Sequence, residues 1–396
     1  MRFTAPLWAA PFRPFYLLGA LYALLLAGAW LFAPQTPAQA AAWHGHEMLF
    51  GFATAIISGI LLTALPSWAG TPEWQGPRLA LLVACWLAGR IAFWCEALPL
   101  PLRALLDVAY FPVLMFLLSP QLLRLGERQF LWLLPILGGF AAAQLLFWLG
   151  KWQAATSLTQ AGLHWGLHAL LLLFVVKGGL LTPIFTGNAL RERRLGEAPK
   201  LLPELEYALG VAVLLLALAE PLATPPASLA AVCLGTALLL GFRSWRWRGW
   251  QVAALPMLAA MHVAFVWLIG ALVLRGWAAL DARLAPGVWQ HAFLVGAVGA
   301  MMLSLMNRVS LRHTGRPLAV SATMRLALAL VSLAAVLRVV ASLLQLDSAW
   351  AAGAMTLWAS AFGLYLFEFG PVLCSPSRPR AASAEEAAGL KRETPP

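Results

Sequence analysis

Twelve apolar runs, each about as long as a bilayer is thick, constrain this chain more than any other feature. They lie near 13–33, 47–66, 78–96, 101–119, 130–150, 161–181, 205–221, 223–241, 250–273, 287–307, 322–344 and 349–370, between polar or Pro/Gly-bearing breaks. A helix needs roughly 20 consecutive apolar residues to cross hydrocarbon. The chain therefore reads as all-α: a polytopic transmembrane helical bundle of about twelve helices. Its balance agrees, with 61% hydrophobic residues against 11% charged. Spans 3/4 and 7/8 are tightly joined and predict helical hairpins. The longest connector, from about Thr182 to Glu204, is charged and too short for a soluble catalytic domain. One membrane domain is expected over 1–374. The tail 375–396, rich in Ala, Pro, Glu and Arg, reads as a disordered cytoplasmic segment. No internal repeat stands out.

Charge sets the orientation. With the amino terminus inside, eighteen Lys and Arg fall in cytoplasmic segments, including Arg191, Arg193, Arg194 and Lys200 between spans 6 and 7. Only four, Arg103, Lys151, Arg275 and Arg283, fall opposite. Cytoplasmic loops carry the excess of basic residues, so both termini are expected to be cytoplasmic. The net charge of +11 is spread over short loops and does not indicate nucleic-acid binding. Ala38-Gln39-Ala40 resembles a signal-peptidase site. The run before it is longer than a signal core, and its loss would leave an odd number of spans, so it reads as a retained first helix.

Seven histidines sit in this apolar sequence. His44 and His46 lie where span 2 enters from the outer side, in Trp43-His44-Gly45-His46-Glu47-Met48-Leu49-Phe50-Gly51-Phe52. His164 and His168 lie in the first turns of span 6, four residues apart and so on one helix face. His291 is about a turn into span 10, and His262 falls near the middle of span 9. Only His313 is on the cytoplasmic side. Six outer-half histidines on four helices are thus expected. Ionisable groups in lipid are costly and mark function, and imidazole is the commonest metal ligand and the usual axial ligand of haem. Each residue alone also has an ordinary reading, as a headgroup-level polar group or an interhelical hydrogen-bonder. The set favours metal. His44, His46, His164, His168, His262 and His291 are the candidate cofactor and metal ligands.

With no thiolate or carboxylate cluster at comparable spacing, the metals expected are haem iron and copper. Cys85, Cys95, Cys233 and Cys374 form no CxxCH attachment site, so the haem would be non-covalent, of the b type. Arg90, Glu96, Asp107 and Arg338 lie toward the outer side, where they can pair with one another or with haem propionates. Lys177 and Glu368 lie toward the cytoplasm, as members of a proton route or as structural charges. Small-residue ridges, Gly51-xxx-Ala55-xxx-Gly59 and Ala292-xxx-Gly296-xxx-Ala300, suit close helix approach.

These motifs resemble the NnrS family of bacterial membrane proteins. The resemblance rests on Pro11-Phe12-Arg13-Pro14-Phe15, the span-2 motif, Leu61-Leu62-Thr63-Ala64-Leu65-Pro66-Ser67-Trp68-Ala69-Gly70, His291-Ala292-Phe293 and His313-Thr314-Gly315-Arg316-Pro317-Leu318. Ser67, Ala69 and Arg312 depart from the pattern, where Asn, Thr and Gly are expected, and spare the histidines. The resemblance implies a haem- and copper-containing protein of the inner (plasma) membrane, linked to nitric oxide, nitrosative stress and denitrification. Its expected partners are the lipid bilayer and nitric oxide or another small gas. Two alternatives stay open: a haem-copper-type nitric oxide or oxygen reductase, and a haem or metal transporter.

Overall fold

The computed structural model describes residues 5–32, 37–125 and 128–379, and within them the chain is helical with no β-strand. Twelve rods follow one another: α1 Phe12–Phe32, α2 Ala41–Pro66, α3 Gly76–Trp94, α4 Leu100–Arg124, α5 Leu133–Trp152, α6 Thr156–Glu192, α7 Pro203–Ala219, α8 Pro226–Arg246, α9 Pro256–Leu280, α10 Val288–His313, α11 Ala322–Leu343 and α12 Ser348–Cys374. Eleven are long and apolar enough to cross a membrane. The twelfth, α7, has 17 residues, the short end of what spans hydrocarbon.

The twelve expected runs all form helices. α6 continues past its expected end near 181 to Glu192, taking in the first half of the expected Thr182–Glu204 connector, and α9 begins at Pro256 rather than near 250. Gly249–Val252 winds separately as a short 3-10 turn. Pro256 then sits in the first turn of the helix, where its missing N–H loses no bond. That shift has two consequences. His262 moves to the second turn of the helix, away from the expected mid-membrane position. Arg275, expected in an outer loop, falls inside α9 and is buried.

Burial singles out α2, α6 and α10, whose apolar windows are 83%, 67% and 78% buried, against 50% or less for the other eight measured spans. Helices apolar all round belong in the middle of a bundle. These three are every fourth helix. α1, α5 and α9 pack on them, the hairpins α3/α4, α7/α8 and α11/α12 lie outside, and contacts of α4 with α5, α8 with α9 and α12 with α1 close the ring. A four-helix unit thus recurs three times around the axis, an order the sequence does not display. Two central helices do share a trace of it: His46 and Gly51, like His291 and Gly296, are five residues apart. In both, a wide π-helical stretch starts at the next residue, Glu47–Ala53 and Ala292–Val298. α6 carries a third, Phe174–Gly178. Such turns occur frequently at functional sites.

The small-residue ridges lie where backbones approach. A Cβ on Gly51 would stand 2.6 Å from Tyr22 Cε1, and one on Gly296 2.5 Å from the Trp267 ring. At the opposite end of the bundle Arg13, 1% exposed, donates to Leu373 O and Ser375 O at 2.7 Å and to Ser377 Oγ at 2.8 Å. The last carbonyls of a helix lack intrahelical partners. Here the start of α1 supplies them to the end of α12, so those two helix ends lie at one face of the bundle. Residues 375–378 are held there, with Arg378 N donating to Thr314 O at 2.9 Å. The rest of the expected tail, 380–396, lies outside the described residues.

Candidate functional site

The candidate histidines separate into four settings. His46 belongs to a buried ionic cluster formed by α1, α2, α3, α4 and α5. Its Nδ1 is 2.7 Å from Glu47 Oε1 and its Nε2 3.0 Å from Asp107 Oδ2. Arg90 bonds Glu47 at 2.7 Å and also pairs with Asp107. Tyr22 OH donates to Glu47, Trp94 Nε1 to Tyr22 OH at 2.9 Å, and Trp148 Nε1 to Asp107 Oδ2 at 2.7 Å. Phe93 stacks flat on the imidazole at 4.4 Å. Carboxylate oxygens stand beside both ring nitrogens, and Nε2, for all its nearness to Asp107, has no hydrogen-bond partner. The ring is thus enclosed by Glu47, Asp107, Arg90 and Phe93, in a buried set of opposite charges that must offset one another. Arg90 and Asp107 thus pair with each other, one of the two readings open for them.

His44, two residues earlier, points the other way. With His164 and His291 it lines a cavity of about 450 Å³ between α2, α6, α10, α11 and α12, closed at one edge by Trp30 of α1. The remaining wall is mainly apolar, from Met48, Leu49 and Phe52 of α2, Leu167 of α6 and Leu294 of α10. His44 Nδ1 is buried without a hydrogen-bond partner, its ring 4.8 Å from Trp30. His291 Nδ1 donates to Gly287 O at 3.1 Å, which fixes the tautomer and leaves Nε2 as the nitrogen with a lone pair. His164 is held by acceptors on both sides, Glu220 Oε2 at 2.8 Å and Ala217 O at 2.9 Å. Arg338 also lines the cavity, anchored to Ser342 Oγ at 2.5 Å.

His168 shares a face with His164, the two rings 4.2 Å apart, yet it turns to other partners. Its Nδ1 donates to His164 O at 2.8 Å and its Nε2 accepts from Arg275 at 2.9 Å. Arg275 in turn lies over the Trp289 ring at 4.5 Å. His262 is at the other end of the bundle, 3.0 Å from Thr186 Oγ1 near the end of α6 and pressed against Gly249. The expected slab of six is therefore five, and the cavity gathers three. His313, at the foot of α10, packs against Phe12.

Lys177 holds its ammonium over Phe130 at 4.4 Å, and Glu368 accepts from Ser321 Oγ at 2.5 Å. Glu96 is exposed. Sequence reading missed Tyr22, Trp148, Glu220 and the inward-facing Arg275. Glu220 carried a usable signal, as an acidic residue closing an apolar run at the histidine end.

A haem brings four ligands of its own to iron and needs one or two from the protein. The cavity volume lies within the range of cofactor sites, and an orphaned buried imidazole nitrogen, an oriented second imidazole and an arginine suit iron and a carboxylate. A bare ion needs more. Among the described residues no three His, Cys, Asp or Glu side chains stand close enough to hold one.

One family model, described as NnrS protein, matches residues 6–377 of the chain. No curated protein matches it.

Proposed function

The chain belongs to the NnrS family, and on that footing we propose that this multi-pass membrane protein binds b-type haem in the histidine-lined cavity and uses it to take up nitric oxide. One observation carries the reading: a largely apolar cavity of about 450 Å³ in which His44 of α2 and His291 of α10 each keep a ring nitrogen available. Bound haem would supply an iron centre able to take a diatomic ligand. The chain's own part is to hold the iron through His44 or His291, to face a propionate with Arg338, and to exclude water with Met48, Leu49, Phe52 and Leu294. His164, tied to Glu220 and Ala217, shapes the cavity wall.

Nitric oxide enters through the family resemblance, and with it the inner membrane and tolerance to nitrosative stress or denitrification. Copper has no group of three ligands to rest on among the described residues, and the proposal is confined to haem. The test is the absorption spectrum of purified protein before and after dithionite, with nitric oxide added to the reduced form. A Soret band that shifts with nitric oxide supports the reading. Protein from haem-replete cells without such a band refutes it.

A further inference from the structure

A second space lies deeper in the bundle, between the same three central helices. It measures about 70 Å³ and is lined by Ile57 and Leu61 of α2, Leu173 and Phe174 of α6, and Met301 and Met302 of α10. Leu170 and Val298 line both this space and the large cavity, so the two adjoin through a shared wall. The wide turns build much of the boundary. Phe174, Lys177 and Gly178 come from the turn in α6, and Val298 ends the turn in α10.

Size alone would admit water, since about 10–15 Å³ suffices for one molecule, but a buried water also needs two to four polar partners. This wall offers aliphatic, aromatic and thioether groups. Its one charged residue among those described, Lys177, carries its ammonium over Phe130. A dry apolar cavity takes small apolar molecules instead. Its place among the three most buried helices suits an uncharged solute.

We propose that this space is a holding site for one small uncharged molecule of the diatomic-gas class, which passes between Leu170 and Val298 into the histidine-lined cavity. The holding site stands independently of the haem reading; only the destination rests on it.

Xenon, an apolar probe of dry cavities, tests the site directly. Crystals of the full chain pressurised with xenon should show an anomalous peak between Leu61, Phe174 and Met301. Leu173→Phe should abolish that peak, because Leu173 lines the small space and not the large one. In reduced, haem-loaded protein the same variant should slow carbon monoxide recombination after flash photolysis several-fold. A xenon-free space in the wild-type chain, or ordered water in it, overturns the holding site whether or not Leu173→Phe folds. Unchanged recombination in a variant that has lost xenon overturns the passage. Xenon bound in a chain that never carries haem leaves the holding site and removes the haem reading. Haem bound beside a xenon-free space does the reverse.

Discussion

His44 and His46 show how two residues of separation become two different chemistries. Positions two apart on a helix do not face each other. One ring therefore enters the cavity while the other enters the Glu47–Arg90–Asp107 cluster. Their variants should differ in kind. His44→Ala and His291→Ala are expected to lower the haem content of folded protein or shift its Soret band, with expression near normal. His313→Ala, at the other end of the bundle, should leave both unchanged. Arg90→Ala strands two buried carboxylates, and breaking a buried pair in this way costs about 3–5 kcal/mol. It should lower the unfolding temperature in detergent while the surviving fraction keeps its spectrum; a spectral shift without loss of stability would place the cluster at the cofactor. The sequence displayed all of these residues but could not sort them. The sorting depends on rotation about each helix axis and on which neighbour stands alongside, and neither is a property of one helix.

At the scale of elements, hydrocarbon thickness makes the helices legible: a run long enough to cross must be there in the sequence, and all twelve were. Their ends were less so. A six-residue shift of α9 was enough to move His262 to the opposite end and to bring Arg275 against His168. The central role of α2, α6 and α10 was partly visible, since Gly51, Ala55 and Gly59, and Ala292, Gly296 and Ala300, mark faces that admit another backbone. The structure gives those faces their partners, Tyr22 against Gly51 and Trp267 against Gly296. Gly51→Val and Gly296→Val should each overpack the contact, at a cost of about 1–3 kcal/mol. Thermal unfolding in detergent reads this, and because Gly296 lies in the wide turn beside the cavity, its variant should also lose haem. Wild-type unfolding temperatures in both would mean that the close approaches are not stabilising.

Over the whole molecule, twelve rods and the Arg13 clamp bring the start of α1 and the end of α12 to one face, and the loop charges predict that this face is cytoplasmic. Fusions of alkaline phosphatase and of green fluorescent protein after residue 374 test it. Fluorescence without phosphatase activity is expected, and the reverse pattern would put the histidine end of the bundle in the cytoplasmic leaflet. Arg13→Ala removes a buried cation from several carbonyls. Hydrogen bonds to charged groups contribute about 1.5–3 kcal/mol each, so the variant should unfold at clearly lower temperature. A recurring four-helix unit places α2, α6 and α10 around one axis; the smaller cavity lies between them, and the larger one between them, α11 and α12. The function of the molecule therefore turns on what the larger cavity holds. Pyridine haemochrome analysis of the purified wild-type chain beside His44→Ala and His291→Ala measures this most directly. The wild type is expected to carry b-type haem, extractable with acidified acetone, and each variant a reduced amount or an altered Soret band. Haem-free wild-type protein from haem-replete cells, or variants that match the wild type in both amount and spectrum, would contradict the haem reading.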